Sequence, residues 1–387
     1  ALADDIDKPM FPELYQKALE KQKKAKYKQN NLKIANNKPV TPFLNSLRNS
    51  SVYAPIFYGN SIQTAKGHFA TYFSMTPCLT GKTFVNYTDT KVESIASVLS
   101  RHGYYTAYFN AHKDPNFDNV SGFVLPRGYN EFQVAKPYIK ETDKKDRLSW
   151  GVEDSIMFKR FFDYYDQKLK NKKQPNFVTI ATIANHFPFN SMADHRKLIY
   201  PTPSGFSEKY ENSVHLTDLG LKEFFTQLNQ RPYLKDSLVI IVGDHAFPLG
   251  EHGNYSLESG YHEESFRVPF FIVWNDVLAP TQLSRASSQL DIAPTILDLL
   301  GIQDKQTNFS GHSVFSKTSH AIPLIQPYGK HLSIVKYPLK YRLNTRLNKE
   351  YLYDLEKGHG ELVEGLWVTV KSIQGRALYF ETYLPEY

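Results

Sequence analysis

The sequence predicts an α/β fold, a central mostly parallel sheet flanked by helices, with a small β-rich subdomain at the carboxyl end. Three observations predict it. Short runs such as SLVIIV at 237–242 and FVTIATIA at 177–184 are almost uniformly apolar and rich in β-branched residues, as strands buried on both faces are. Between such runs lie longer stretches with helical periodicity, and strands alternating with helices build a parallel sheet covered on both sides. From about residue 321 the pattern changes to short Tyr-rich and β-branched segments (HLSIVKYPLKYRL, YLYDL, LWVTVKSI, ALYFETYL).

The 387 residues, 41% of them hydrophobic, can bury one large core, so a single α/β domain with an appendage is expected rather than two equal domains. The expected division is a polar linking helix over 1–38, the main domain over 39–320 and the β-rich subdomain over 321–387. No window approaches the roughly 18 uncharged apolar residues of a membrane span, and the amino end lacks a signal-peptide pattern. The single cysteine, Cys78, excludes an intrachain disulfide. The net charge of +7 is densest at 17–28, 168–173 and 330–346 and suits anionic partners such as phospholipid headgroups. Zinc-finger spacing, an RNP-like aromatic motif and a recognition helix are lacking, so nucleic acid is not an expected partner.

Taken in order, the ordered body begins at PVTPFL (39–44), followed by a strand at 51–58 (SVYAPIFY). A helix opens at Thr64, another covers 92–101, and YYTAYF at 104–109 is a strand. Residues 153–169 form an amphipathic helix, 177–184 a buried strand, 207–228 a long helix and 237–242 a second buried strand. Residues 268–274 add a strand, and 291–300 a helix stopped by Gly301 at its C′ position.

In such a sheet, ligands bind at the carboxyl ends of strands. The run at 237–242 ends in Gly243-Asp244-His245, and a carboxylate beside an imidazole suits Mn²⁺ or Zn²⁺, although a structural turn would also explain the pair. Thr64 stands at a helix amino terminus, where backbone N–H groups and the helix dipole favour phosphate and stabilise an alkoxide; an ordinary N-cap is the alternative. His186, in Asn185-His186-Phe187-Pro188-Phe189 after the 177–184 strand, could protonate a leaving group. Further candidates are His112, Trp150, His252 and His262.

Together these motifs resemble the alkaline phosphatase superfamily, and within it the sulfatase-like branch containing lipoteichoic acid synthases and related phosphoglycerol transferases. The resemblance runs from residue 39 to about 315. Its motifs stand here as TPFLNSL at 41–47, Thr64, FDN at 117–119, Gly128-Tyr129, WG-x-x-D at 150–154, NH-x-PF at 185–189, GDH at 243–245, VPF at 268–270 and D-x-APT-x-L-x-LLG at 291–301. The resemblance implies a nucleophilic threonine bound to one divalent metal ion, Mn²⁺ before Zn²⁺ or Mg²⁺, and a phosphothreonine intermediate. Carried onto this chain, Thr64 is nucleophile and ligand, Asp244 and His245 are ligands, and His186 is catalytic. His112, Phe117, Asn119, Trp150, His252, His262 and Lys66 form the substrate-binding set.

The implied activity moves a phospholipid headgroup phosphate, glycerol phosphate from phosphatidylglycerol, to a glycan or polymer acceptor. It is expected outside the cytoplasm at a cell membrane, with 1–38 as the linker from a membrane part. Alternatives within the fold are a phosphodiesterase, a phosphonate monoester hydrolase or a phosphoethanolamine transferase; that of another class is a silent lipid- or polymer-binding domain. Two departures from the family pattern matter. QTAKG at 63–67 replaces the C/S-x-P-x-R of true sulfatases, which disfavours sulfate ester hydrolysis, and the single cysteine disfavours the disulfide-bearing phosphoethanolamine transferases. The family's further metal ligand, a glutamate closing an apolar first strand before Thr41, has no counterpart in KYKQNNLKIANNKPV at 26–40. The expectation is that this strand is missing from the sequence, because its loss would leave a gap in the core.

Overall fold

The computed structural model describes residues 39–135, 150–189, 198–203, 205–249, 260, 262–318, 320–356 and 361–362. The expected linking helix over 1–38 and the LWVTVKSI and ALYFETYL segments lie outside these residues. The chain opens with helix α1 (Pro42–Leu47), whose first amides, Phe43 and Leu44 N–H, donate to the Asp218 carboxylate at 2.9 and 2.8 Å. Next come β1 (Val52–Tyr53) and β2 (Phe57–Tyr58), two short strands where one was expected. Pro55 lies between them, and a proline cannot donate to a ladder. Helix α2 (Thr64–Phe73) follows, then α3 (Thr83–Asn86), α4 (Ile95–Arg101), β3 (Tyr105–Asn110), α5 (Val120–Val124) and β4 (Glu131–Val134). The next elements are α6 (Asp154–Tyr164), which continues as a π-helical turn to Leu169, β5 (Asn176–Ala181), α7 (Phe206–Asn229), β6 (Val239–Val242) and β7 (Phe270–Val273). The main body closes with β8 (Thr281–Gln282), β9 (Ser287–Ser288) and α8 (Ile292–Leu299). Gly301 follows α8 at φ +65°, the left-handed stop expected of it.

β3 lies between β4 and β5 with all three parallel, whereas β7 runs antiparallel to both β6 and β1, and β1 pairs parallel with β8. Parallel pairs thus predominate in the main body, as expected, with β7 as the reversed strand. Side chains alternate across these strands at period two. Tyr108, Phe270, Ile272, Ile240 and Phe177 pack into one apolar cluster with Phe69 and Phe73 of α2, Leu99 of α4 and Ile296 of α8. Ala107, Phe109, Phe271, Ile241 and Val178 pack into the other with Phe161 and Phe162 of α6 and Leu221, Phe224 and Leu228 of α7. Residues 221, 224, 225 and 228 repeat at helical spacing, so α7 presents one apolar stripe to the sheet. No described helix is long and apolar enough to cross a membrane.

The carboxyl-terminal strands β10 (Ile322–Gln326), β11 (His331–Lys336), β12 (Leu339–Asn344), β13 (Lys349–Asp354) and β14 (Glu361–Leu362) pair in sequence as an antiparallel meander. Ile322, Leu324 and Val335 pack on Tyr58, Ile62 and Phe266 of the main body. β10 also joins the loop before α2: Ile325 N–H donates to the Asn60 carbonyl at 2.8 Å and Ser61 Oγ to the Ile325 carbonyl at 2.9 Å.

Candidate active site

β6 ends at Val242, and the chain then turns through Gly243, Asp244 and His245. Thr64 is the first residue of α2, and its side chain lies beside the Asp244 carboxylate, near enough to help hold that group's pKa down. Two features hold these elements in register. The Gln289 side-chain amide donates to the Gly243 and Asp244 carbonyls at 2.9 and 2.7 Å, while its oxygen accepts from Asn60 N–H at 3.0 Å. Gly67, one turn into α2, lies so close to the Asp244 carbonyl oxygen that an added Cβ would sit 2.0 Å from it.

Partial desolvation at the cleft floor works to raise the Asp244 pKa, but His245, His68 and the Thr64 hydroxyl outweigh it and hold the carboxyl below its ordinary range. His245 Nδ1–H donates to the Ala246 carbonyl at 2.9 Å, which leaves Nε2 as a lone-pair donor 3.6 Å from Asp244 Oδ2. An anionic carboxylate, an imidazole with a free Nε2 lone pair and a hydroxyl are a donor set that fits a divalent ion. Among the described residues no group of three or more His, Cys, Asp or Glu gathers there, so the expected further carboxylate has no counterpart. His68 was not anticipated. It follows Thr64 by four residues on the same face of α2, a spacing visible in the sequence. Its pKa is lowered, chiefly by burial, and its Nδ1 lies 3.3 Å from the Tyr108 hydroxyl.

A second cluster comes from the ends of β3 and β5. His112 lies two residues beyond β3, and Gly151 pairs with it in an antiparallel bridge that sets Trp150 alongside. Phe117 stacks on the His112 ring at 4.1 Å, and Trp150 lies 5.6 Å from Phe117 and 5.0 Å from His186. Burial lowers the His112 pKa, keeping the ring neutral. Nδ1 lies 2.9 Å from Asp114 N–H and 3.1 Å from the Asp114 carbonyl oxygen, and Nε2 is a buried atom with no hydrogen-bond partner among the described residues. In the tautomer that accepts from Asp114 N–H, Nε2 carries the proton and can donate to an anion. His186 is oriented oppositely: its Nδ1–H donates to the Phe187 carbonyl at 2.7 Å, which also accepts Trp150 Nε1–H at 3.1 Å.

Thr64, His68, His112, Phe117, His186, Asp244 and His245 all line one cavity of about 2110 Å³. Four expected residues do not line it, and the first, Trp150, packs against Phe117 and His186, which do. The Lys66 ammonium is buried and donates to the Cys78 carbonyl, with Cys78 Sγ at 3.3 Å, so it is tied to the far side of α2 from the cleft. Asn119 Nδ2 donates to the Phe84 carbonyl at 2.7 Å, which turns its amide into the packing beneath α5. His262 heads the turn carrying Glu263, which is drawn to Arg267 and Lys340. His252 lies outside the described residues.

The family profile described as sulfatase matches residues 19–302. The chain belongs to the sulfatase family. It is a member of the alkaline phosphatase superfamily to which that family belongs, whose enzymes use a divalent metal. Among curated relatives, this sulfatase-family chain is 28% identical to the lipoteichoic acid synthase-like protein YvgJ of Bacillus subtilis over 73% of its own length and 46% of that protein. It is 27% identical to the lipoteichoic acid synthase of Staphylococcus saprophyticus over 74% of the chain and 45% of the relative. The chain thus spans about half the length of the curated relatives it matches. In fold it is similar to the lipoteichoic acid synthase LtaP from Listeria monocytogenes, with a TM-score of 0.74 and 22% identity over 87% of this chain and 83% of that one. An alkaline phosphatase superfamily protein from Vibrio parahaemolyticus gives a TM-score of 0.75 at 22% identity, covering 89% and 81%.

Proposed function

We propose that the chain carries the phosphotransfer centre of a phosphoglycerol transferase, one that moves glycerol phosphate from phosphatidylglycerol to a glycan or polymer acceptor at the extracytoplasmic face of a cell membrane. The observation that carries this reading is the Thr64 hydroxyl, at the head of a helix, set beside Asp244 and His245 inside the shared cavity. Lipoteichoic acid synthases among the relatives support the choice of donor.

In this reading Asp244 accepts the Thr64 proton and aims the hydroxyl oxygen at phosphorus, while the amino end of α2 favours the phosphate oxygens. His112 donates its Nε2–H to one of those oxygens. The bond from Thr64 Oγ1 to phosphorus forms as the bond to the diacylglycerol oxygen breaks, and His186 gives that oxygen a proton. Phe117 walls the cleft beside His112 and excludes water, with Trp150 packed against Phe117 and His186. The acceptor hydroxyl then attacks phosphothreonine and gives its proton to His186, the bond from phosphorus to Thr64 Oγ1 breaks, and Asp244 returns its proton to that oxygen. A divalent ion held by Asp244, His245 and Thr64, Mn²⁺ in our reading, would lower the hydroxyl pKa and neutralise developing charge.

The test is product analysis on phosphatidylglycerol with Mn²⁺, with and without a glycan acceptor. Expected are diacylglycerol release and glycerol phosphate transfer, and a loss on the order of 10³-fold or more in Thr64→Ala with the melting temperature kept. Free glycerol phosphate regardless of acceptor would make the protein a phosphodiesterase instead. Residual turnover in Thr64→Ala near wild type would remove Thr64 as nucleophile.

A further inference from the structure

The two ends of the carboxyl-terminal meander differ in character. At one end Tyr337 and Leu355 pack with Tyr58 and Phe266 of the main body. At the other, the turns joining β10 to β11 (327–330) and β12 to β13 (345–348) lie side by side. The Lys330 carbonyl accepts from Thr345 N–H at 3.1 Å and from the Thr345 hydroxyl at 2.8 Å, and the Tyr328 carbonyl accepts from Arg346 Nη2 at 3.2 Å. Both are four-residue turns that close on a left-handed residue, Lys330 at φ +53° and Asn348 at φ +50°. A side-chain amide holds each one. Gln326 Oε1 accepts from Gly329 N–H at 2.9 Å, and Asn344 Oδ1 from Arg346 and Leu347 N–H at 3.0 and 3.1 Å. The shape of this tip is thus set before anything binds it, which lowers the ordering cost of a contact.

The tip turns large apolar groups outward: Tyr328 is 43% exposed and Leu347 51%. Lys330 and Arg346 flank them, and neither turn contains a carboxylate. Two apolar side chains ringed by cations match the boundary of an anionic bilayer, where an aromatic ring sits at headgroup level and Lys or Arg is drawn to lipid phosphate. A soluble glycan would use the ring of Tyr328 and leave Leu347 idle. Position adds a second argument. Ser61 and Ile325 are bridged in parallel, and three residues further along each segment come Thr64 and Tyr328, both of which line the reaction cavity. The tip therefore stands at the rim of the candidate active site.

We propose that Tyr328, Lys330, Arg346 and Leu347 form a docking tip for the surface of an anionic phospholipid bilayer, which sets the rim of the cavity against the lipid. The contact follows from the two turns, and only its purpose rests on the phosphoglycerol transfer reading. A docked rim lets a headgroup reach Thr64 while its acyl chains stay in the bilayer.

The test is co-sedimentation of the whole chain with vesicles of mixed phosphatidylglycerol and phosphatidylcholine, and with vesicles of phosphatidylcholine alone. One double variant, Tyr328→Ser with Leu347→Ser, removes the apolar groups, and another, Lys330→Gln with Arg346→Gln, removes the cations. A third, Lys235→Gln with Lys305→Gln, takes the same charge from exposed positions elsewhere. The expected result is binding to the anionic vesicles, weakened on the order of 20-fold in the cation variant, at about fivefold for each basic residue near the surface. The apolar variant should lose about tenfold. The Lys235 and Lys305 variant should bind nearly as the wild type does, with the melting temperature kept in all three. No binding by the wild type, or an equal loss in the Lys235 and Lys305 variant, overturns the proposal. So does unchanged vesicle binding in the Tyr328 and Leu347 variant, and a raised glycan requirement in that variant would then make the tip an acceptor subsite. Sedimentation does not depend on turnover, so a chain that docks through the tip yet transfers nothing overturns the transfer reading and supports this one.

Discussion

Asp154 shows how a side chain can set the site without facing it. Its carboxylate accepts from Ile183 N–H at 3.2 Å, Ala184 N–H at 3.1 Å and the Thr217 hydroxyl at 2.5 Å, which fixes the chain where β5 ends and turns to Asn185 and His186. Burial pushes its pKa up, and those donors oppose the rise. Asp154→Ala would strand two backbone donors, at about 1–3 kcal/mol for each that stays buried. A clearly lowered melting temperature and slower turnover are expected, and an unchanged thermal transition would show that water replaces the carboxylate. The sequence marked this residue only as the last letter of WG-x-x-D, because its role depends on partners 29, 30 and 63 positions away. That Thr64, Asp244, His245, His112 and His186 would converge on one cavity was legible because each stands past the end of an apolar run or at the start of a helix. Lys66 was misread for the opposite reason: proximity to Thr64 in sequence says nothing about which side of α2 a long side chain leaves by.

At the scale of elements, the carboxyl-terminal meander is fastened to the body by a buried charge cluster. Lys340 Nζ, fully buried, lies 3.3 Å from Glu263 Oε1, and Tyr58 donates to Glu263 at 2.5 Å. Burial alone would raise the Glu263 pKa, but Lys340, the Tyr58 hydroxyl and Arg267 outweigh it, and the carboxyl titrates below its ordinary range. A carboxylate whose folded pKa is depressed contributes stability above its unfolded value and loses it as pH falls through the folded one. The melting temperature should therefore drop more steeply from neutral pH to about pH 3 in the wild type than in Glu263→Gln; parallel curves would show that the cluster contributes nothing to the acid response. The meander itself was readable from its Tyr-rich alternation. Its attachment was not, since Glu263 and Lys340 are far apart in sequence and neither sits in a motif. The reversal of β7 was also hidden, because the apolar run of a buried strand does not encode direction.

For the molecule as a whole, the two apolar layers meet on a sheet whose β5 and β6, among the described residues, each pair with one strand only. The core was legible because both layers repeat the two basic periodicities. The net charge of +7 gives a further expectation at this scale. Binding to phosphatidylglycerol vesicles should weaken as salt rises, because a Debye length of about 10 Å at 0.1 M screens distributed lysines from the lipid surface. Co-sedimentation across a salt series measures it, and binding indifferent to salt would remove charge as the attraction.

Gly67 turns the distance between nucleophile and ligand loop into a ratchet with no smaller tooth. The first turn of α2 rests on the Asp244 carbonyl because one atom is missing, and the least that any substitution can add, a single methyl group, would already sit 2.0 Å from that oxygen. Divergence can retune the cleft walls by degrees, through Phe117 or His68. The spacing across its floor admits no gradual drift, so a lineage that altered residue 67 would have to rebuild the Asp244 turn in the same step.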